Sequence, residues 1–159
     1  MKINFYIVGK IKEPYIKNAI SLYKERISHY ADFSLTYIDE SPLPLIYKKA
    51  EVDKSLLEEG KRIVKTCKST DYKILLDLHG VSLSSEKFAD KINDITNKSY
   101  SSISFIIGSS YGISDEVRSY ADYRLKISDM TFTHPQTLML IMEQVYRAFK
   151  INNNETYHK

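Results

Sequence analysis

The chain is 159 residues long, 43% of them hydrophobic and 27% charged, and it carries a formal net charge of +3 at pH 7. These values exclude collagen-like, disordered and disulfide-rich chains, and the length suits one domain over residues 1–159. The single cysteine, Cys67, fits a cytoplasmic protein without disulfides, and no apolar run approaches the roughly 20 residues of a membrane span.

The first half of the chain predicts two strands and two helices in alternation. Residues 3–8 have the composition of a strand and end at Gly9, a turn residue. Pro14 suits the first position of a helix whose apolar residues recur at three- and four-residue steps. Residues 33–38 form a second predicted strand, and residues 39–50 a proline-containing loop. The apolar face of the helix that follows is predicted to comprise Val52, Leu56, Leu57, Ile63 and Val64.

The second half predicts three more strands and three more helices. The strands are residues 72–78, 103–107 and 123–128. Ser84 and Ser114 suit the N-caps of the two helices between them, and Pro135 suits the first residue of the last helix. The buried stripe of that helix is expected to be Leu138, Ile141, Met142, Val145 and Phe149. This alternation predicts an α/β fold with a mostly parallel sheet sandwiched by helices.

Ligands of such sheets bind at the carboxyl ends of the strands. The turn after the fourth strand, residues 108–112, contains two glycines but lacks the order of a dinucleotide site or a phosphate-binding loop. Taken alone, it is typical of an ordinary strand-to-helix turn. The histidines at positions 29, 79, 134 and 158 show no metal-binding spacing, so we expect no metal site.

Four segments together are characteristic of one known family. The first two are Phe105–Gly108 with Tyr111 and Gly112, and Ser128–Phe132 with His134. The other two are Glu143–Ile151 and the terminal Tyr157–Lys159. On these segments the whole chain resembles the ribosomal RNA large subunit methyltransferase H family of the SPOUT class.

The resemblance implies a SPOUT-type fold, in which the C-terminal part of a Rossmann-like sheet is tied in a trefoil knot that holds S-adenosylmethionine. It also implies a homodimer in which the partner's tail completes each active site. The implied reaction is methyl transfer to N3 of a pseudouridine in 23S rRNA, within the assembled ribosome. Independently, the apolar run from Leu138 to Met142 is too wide for one core contact and favours a dimer.

The same resemblance assigns residues to two roles. Cofactor contacts fall on Leu76, Gly108, Ile127, Ser128, Asp129, Met130, Thr131 and Phe132. The catalytic candidates are His134, Arg147, Tyr157, His158 and Lys159. Among them His158 is the candidate base or proton relay, because an unperturbed imidazole titrates near neutral pH. Tyr157 could stack on the target base, and Lys159 and Arg147 could contact phosphate or stabilise an imide anion.

Two of these candidates have plainer explanations. His134 could cap the last helix, and Arg147 could form an ion pair with Glu143 one turn earlier. Two departures from the family bear on activity, since Ser109 stands where a second glycine is usual and Leu138 where an arginine is usual. The sequence therefore leaves two hypotheses open: an active rRNA methyltransferase, or a knotted dimer that binds RNA or cofactor without turnover.

Overall fold

Five strands and five helices alternate along residues 1–157, the part of the chain that the computed structural model describes. The strands are β1 (Lys2–Val8), β2 (Asp32–Ile38), β3 (Tyr72–Ser82), β4 (Ser102–Ile107) and β5 (Tyr123–Lys126). The helices are α1 (Pro14–Ser28), α2 (Lys49–Thr66), α3 (Ser85–Asn97), α4 (Asp115–Tyr120) and α5 (His134–Asn152). The predicted types and order of the elements are confirmed.

The strands form one sheet in the order β2-β1-β4-β3-β5, and each neighbouring pair is parallel. Each connection between consecutive strands contains a helix, as parallel pairing requires. The predicted α/β fold with a parallel sheet between helices is thus confirmed. The trefoil knot stays a prediction from the family resemblance.

Helices cover both faces of the sheet and create two apolar cores. On one face, α1, α3 and α5 pack around Ile3 and Phe5 of β1, and the rings of Phe5 and Phe105 stack 5.2 Å apart. On the other face, α2 and α4 cover Tyr6 and Val8 of the same strand. Because successive side chains of a strand point to opposite faces, β1 contributes to both cores.

The buried face of α2 differs from the predicted stripe. The buried residues of this helix are Ser55, Glu59, Gly60 and Ile63. Leu57 is instead 45% exposed, so its predicted place in the core is wrong. Close packing against the cap of α4 explains the difference, because a Cβ at Gly60 would lie 2.3 Å from Ser114 Oγ. The helix therefore turns its small and polar residues inward.

The ends of two strands also differ from those predicted. β3 continues past residue 78 to Ser82, because its pairing with Leu125 resumes at Val81 after a bulge. β5 ends at Lys126, two residues earlier than predicted. Residues 127–128 consequently belong to the loop that leads to α5.

The last helix, α5, begins at His134, one residue before its predicted start at Pro135, and its N-cap residue is Thr133. His134 is therefore the first helical residue and does not cap the helix, so the capping explanation is wrong. Most of the predicted stripe is buried, namely Leu138, Ile141, Met142 and Val145. Phe149 is half-buried and stacks on Tyr30, with ring centroids 5.4 Å apart.

A buried polar cluster joins the strands near their amino ends. Asp71, directly before β3 and 1% exposed, accepts hydrogen bonds from Asn4 Nδ2 at 3.0 Å and Ser104 Oγ at 2.6 Å. The hydroxyl of Ser102 donates to its other carboxylate oxygen. The hydroxyl of Ser34 donates to Asn4 Oδ1 at 2.7 Å. One carboxylate thus connects residues of β1 and β4 to the start of β3, and β2 joins through Asn4.

Candidate active site

A cavity of about 540 Å³ opens at the carboxyl ends of β3, β4 and β5. Its walls come from the end of β3, the turn after β4 and the loop between β5 and α5. This volume and this position are both typical of sites for small organic ligands. Seven residues that the family resemblance assigns to the cofactor line it: Leu76, Gly108, Ile127, Ser128, Met130, Thr131 and Phe132.

Asp129 is the exception among the residues assigned to the cofactor. Its carboxylate accepts a hydrogen bond from Lys126 Nζ at 2.6 Å, and Asp129 is not among the residues that line the cavity. The hydrogen bond and charge of Lys126 hold the pKa of Asp129 below its usual value. A local turn directs it outward, because the N–H of Met130 donates to Ser128 Oγ at 3.0 Å.

The turn after β4 is closed by its own backbone. The N–H of Gly112 donates to Ser109 O at 3.1 Å, and Gly112 has a φ of +112°, which favours glycine. Gly108 is required for a different reason, because a Cβ there would lie 2.5 Å from Ile113 Cδ1 and 2.6 Å from Gly112 O. Gly112 thus has a positive φ, whereas at Gly108 the requirement is the close approach of the turn's own atoms.

We expect Gly108→Ala to destabilise the fold by about 1–3 kcal/mol, the range for overpacking a buried site. The carbonyl of Gly112 is backbone and cannot swing aside as a flexible side chain can. Denaturant unfolding measures the change. Ser109→Ala is the matched control, since it leaves these contacts intact and removes one hydrogen bond, worth about 1 kcal/mol. Equal stability of Gly108→Ala and the parent chain would contradict the steric argument.

Ser109 is tied to α2 through a buried carboxylate. Its hydroxyl donates to Glu59 Oε1 at 3.0 Å, and the backbone N–H of Ser41 donates to Glu59 Oε2 at 3.2 Å. Burial of Glu59 raises its carboxyl pKa, and the two donors oppose that rise. One side chain of α2 therefore joins the turn at the cavity to the loop that follows β2.

His134 lies at the wall of the cavity with its imidazole half-buried. Its Nδ1 is 3.3 Å from Ser110 Oγ. Gly9, with a φ of +88°, leaves room beside it, because a Cβ there would lie 3.4 Å from His134 Nε2 and 3.1 Å from Glu40 Oε2. Burial lowers the pKa of His134, and the carboxylates of Glu40 and Glu13 offset part of that shift. The imidazole is consequently neutral near pH 7 and can accept a proton.

We expect the imidazole of His134 to titrate below the value of 6.5 of an unperturbed histidine. Glu40→Gln should move the midpoint lower still, because it removes a carboxylate that favours the imidazolium form. NMR titration of the imidazole C–H resonances measures both midpoints. Asp129→Asn serves as a control, since Asp129 is paired with Lys126. A rise of the midpoint in Glu40→Gln would contradict this account of the charges.

Arg147 of α5 and Tyr157, which follows the helix, lie together and do not line the cavity. Arg147 Nη2 pairs with Glu143 Oε1 at 2.7 Å, which confirms the ion pair expected one turn apart. The phenol of Tyr157 donates to the same oxygen at 3.1 Å, and its ring lies 4.7 Å from the Arg147 guanidinium and 4.9 Å from the Tyr146 ring. Burial and Glu143 raise the pKa of Tyr157 to about 12, so its hydroxyl stays protonated at neutral pH.

The contacts of Tyr157 fix its position relative to the cavity. The cavity meets α5 near its first turns, at Thr137, whereas the ring of Tyr157 packs on Arg147. At 1.5 Å per residue, these two positions lie about 15 Å apart along the helix. The remaining catalytic candidates, His158 and Lys159, lie outside the described residues. The contacts of Tyr157 thus hold it away from the cavity of its own chain.

Three ionisable residues at the cavity were not predicted from the sequence: Asp77, His79 and Arg118. Asp77 and His79 lie close to the end of the predicted third strand, and that position could have identified them. Arg118 lies on α4, and only the packing of α4 beside the end of β3 brings it to the cavity, with its Nε 3.3 Å from Asp77 Oδ2. No local sequence pattern indicates that contact.

Other kinds of site are not found in the part of the chain that the structure describes. Among residues 1–157, no three His, Cys, Asp or Glu side chains are grouped so as to hold a metal ion. Within the same range, no helix is both long enough and apolar enough to cross a membrane. Burial raises the pKa of the Cys67 thiol to about 12, so it is not a nucleophile at neutral pH.

Comparisons with known proteins identify relatives along the whole chain. A family model described as "Predicted SPOUT methyltransferase" matches residues 1–158. "Ribosomal RNA large subunit methyltransferase H" of Clostridioides difficile is 44% identical, with 100% of both chains covered. The protein of the same name from Halothermothrix orenii is 40% identical, again over 100% of both chains. Among solved structures, a tRNA (m1G37) methyltransferase from Aquifex aeolicus matches 92% of this chain and 70% of its own, at a TM-score of 0.49 and 13% identity.

Proposed function

Because the chain belongs to the SPOUT methyltransferase family, we propose that it methylates ribosomal RNA with S-adenosylmethionine as the methyl donor. The finer assignment is N3 of a pseudouridine in 23S rRNA, within the ribosome, by a single domain over residues 1–159. The observation that carries the proposal is the cavity, because it gathers seven of the residues assigned to the cofactor around one space of about 540 Å³. Identity of 44% over the full length of an rRNA methyltransferase supports the substrate class.

The residues at the cavity fit S-adenosylmethionine in size and chemistry. Leu76 and Ile127 offer apolar surface for the adenine, and the loop of residues 127–132 offers backbone N–H and C=O groups for its edge. When bound, S-adenosylmethionine supplies a methyl group that is already activated on a sulfonium. The task of this chain is therefore to hold the donor in line with the nucleophile, which can lower the barrier by several kcal/mol.

The chemistry of the target requires a base. An imide N3–H is a poor nucleophile until its proton leaves, so N3 takes the methyl group and gives up one proton, while the electron pair of the broken C–S bond stays on the sulfur of the product. A positioned base must accept that proton, and a cation must favour the N3 anion. His158 is proposed for the proton and Lys159 for the charge.

The other catalytic candidates, His134, Arg147 and Tyr157, are proposed for supporting roles. His134 is held as a neutral imidazole at the wall of the cavity, which suits a second acceptor or relay for the proton. Tyr157 and Arg147 are bound to each other and to Glu143, which suits an anchor for the tail beside the RNA. In this arrangement Tyr157 positions the two residues that follow it.

A homodimer reconciles the tail with the cavity. Tyr157 is held beside Arg147, about 15 Å along α5 from the point where the cavity of its own chain meets the helix, which favours a tail that acts at the cavity of the partner. Met139 and Leu140 of α5 are only half-buried in the single chain, and they add apolar surface on which a partner could pack. Both observations support the dimer implied by the family resemblance.

The two departures from the family pattern favour an active enzyme over a binding module without turnover. The hydroxyl of Ser109 is engaged by Glu59 of α2, so it is held in place rather than free to occupy the cavity. Leu138 is fully buried in the core that α5 shares with α1 and α3, so it replaces no residue of the cavity wall.

Methyl transfer to ribosomes tests the proposal. Ribosomes from a strain without its own enzyme for this modification are incubated with the protein and S-adenosylmethionine, and the methylated nucleotide is mapped by mass spectrometry. We expect one methyl group, on N3 of one pseudouridine of 23S rRNA, and none when S-adenosylhomocysteine replaces the donor. Binding of the donor without transfer to ribosomes or to free rRNA would support the binding module instead.

A further inference from the structure

Arg118 is the one lysine or arginine among residues 1–157 that lines the cavity. It lies on α4 and faces Asp77 at the end of β3, with Arg118 Nε 3.3 Å from Asp77 Oδ2. Its Nη1 donates to Asp115 Oδ1 at 2.9 Å. The guanidinium is therefore held in place by two carboxylates while its side chain remains 31% exposed.

Asp77 does not depend on Arg118 alone for compensation of its charge. Its carboxylate is 5% exposed, and it also lies 3.6 Å from Arg124 Nη1 and accepts the backbone N–H of His79 at 3.0 Å. Arg124 is not among the residues that line the cavity. Two arginines thus share one buried carboxylate, and of the two only Arg118 lines the cavity.

Asp115, the second partner of Arg118, offsets little of the positive charge of the guanidinium. The side chain of Asp115 is 98% exposed, so water and salt screen its ion pair with Arg118. Arg118 Nη2 donates to no residue among those the structure describes, 1–157. An arginine that is fixed at one side and has donors left at the other is suited to a carboxylate, which it can bind with two parallel hydrogen bonds.

We propose that Arg118 binds the α-carboxylate of the aminoacyl part of S-adenosylmethionine. This inference rests on the proposed function and adds a residue to the donor site that the family resemblance does not assign. The remaining surface of the cavity is largely apolar and suits the adenine and the carbon chain, so the anionic end of the donor is expected at Arg118.

Two ligands that differ only in this carboxylate test the proposal, namely S-adenosylmethionine and its decarboxylated form. Calorimetry measures the dissociation constant of each for the parent chain, Arg118→Gln and Arg124→Gln. Arg124→Gln is the matched control, because it removes a guanidinium from the same carboxylate, Asp77, but outside the cavity lining.

We expect Arg118→Gln to weaken binding of S-adenosylmethionine by about 10- to 100-fold, the range for one charge-assisted contact, and to leave the decarboxylated form unchanged. Arg124→Gln should keep the preference of the parent chain. If Arg118→Gln proves unstable in thermal unfolding, Arg118→Lys keeps the charge without the planar fork and should lose part of the preference.

Three results would overturn the assignment. Equal weakening of both ligands would mean that Arg118 only supports Asp77, and equal loss of preference in Arg124→Gln would mean that no direct contact at Arg118 is involved. Unchanged binding of both ligands with weaker binding of rRNA would place an RNA phosphate at Arg118. Failure of the parent chain to bind S-adenosylmethionine at all would instead refute the proposed function.

Discussion

Deleting His158 and Lys159 is expected to lower methyl transfer by about 100- to 10,000-fold, the range for loss of general acid–base catalysis. Stability should change little, because the deletion retains Tyr157, whose contacts with Glu143 and Arg147 fix the chain to α5. Binding of S-adenosylmethionine should persist, because the cavity is lined by residues between 76 and 137. Single-turnover transfer to ribosomes and calorimetry measure the two effects separately.

Single substitutions separate the contributions within the tail. His158→Ala should reproduce most of the loss if that imidazole accepts the proton, and Lys159→Ala a smaller part if its charge favours the anion. Tyr157→Phe is the matched control, since it keeps the ring on Arg147 and loses only the hydrogen bond to Glu143. We expect that control to retain transfer within about tenfold. Full activity of the truncated chain would refute the catalytic role of the tail.

Mixing two inactive variants tests whether the tails act across a dimer. Thr131→Trp places a large side chain on an exposed residue of the cavity wall and should block the donor site. In a mixed dimer with His158→Ala, one site then combines an intact cavity with an intact tail. Random reassortment should restore about a quarter of the parent activity. No restoration, or a monomer in light scattering, would show that the tail does not serve a partner.

Local periodicity explains why the elements could be predicted from the sequence. The strand composition of residues 3–8 and the three- and four-residue steps in α5 are properties of short segments, so both elements begin within one residue of their predicted starts. The buried face of α2 was not predictable in the same way. In the sequence alone, Gly60 only weakens the predicted helix. In the structure Ser114, the N-cap of α4, packs against Gly60, and this contact is what requires a small residue there.

In the candidate site, too, residues of one continuous segment could be predicted, and residues brought together by tertiary packing could not. The loop of residues 127–132 follows one strand, so the family resemblance could identify it as a continuous segment. Arg118 reaches the cavity only because α4 packs beside β3. Glu59 reaches the turn at the cavity only because α2 packs beside β4. Both contacts depend on tertiary structure. Within the segment of residues 127–132, Asp129 differs from its neighbours, because its carboxylate pairs with Lys126 and is not part of the cavity lining.

The carboxylate of Asp71 should make one of the largest single contributions to stability in the chain. Asp71→Ala removes three hydrogen-bond acceptor contacts and leaves the hydroxyls of Ser102 and Ser104 buried without that partner. A lost network of this kind costs about 3–5 kcal/mol, which is a large part of the stability of a typical domain. The melting temperature should fall by about 10 °C or more.

Two matched measurements distinguish this effect from a general loss of charge. Asp129→Ala removes a carboxylate that is 92% exposed and paired with Lys126 across solvent, so it should leave the unfolding midpoint nearly unchanged. Cys67, the single thiol of the chain, is buried near Asp71, and its rate of labelling under native conditions reports local opening. We expect labelling to accelerate in Asp71→Ala but not in Asp129→Ala.

Affinity for S-adenosylmethionine per folded molecule should stay the same in both, because Asp71 lies at the amino ends of the strands and the cavity at their carboxyl ends. Equal unfolding midpoints for the two variants would show that the polar cluster contributes no net stability.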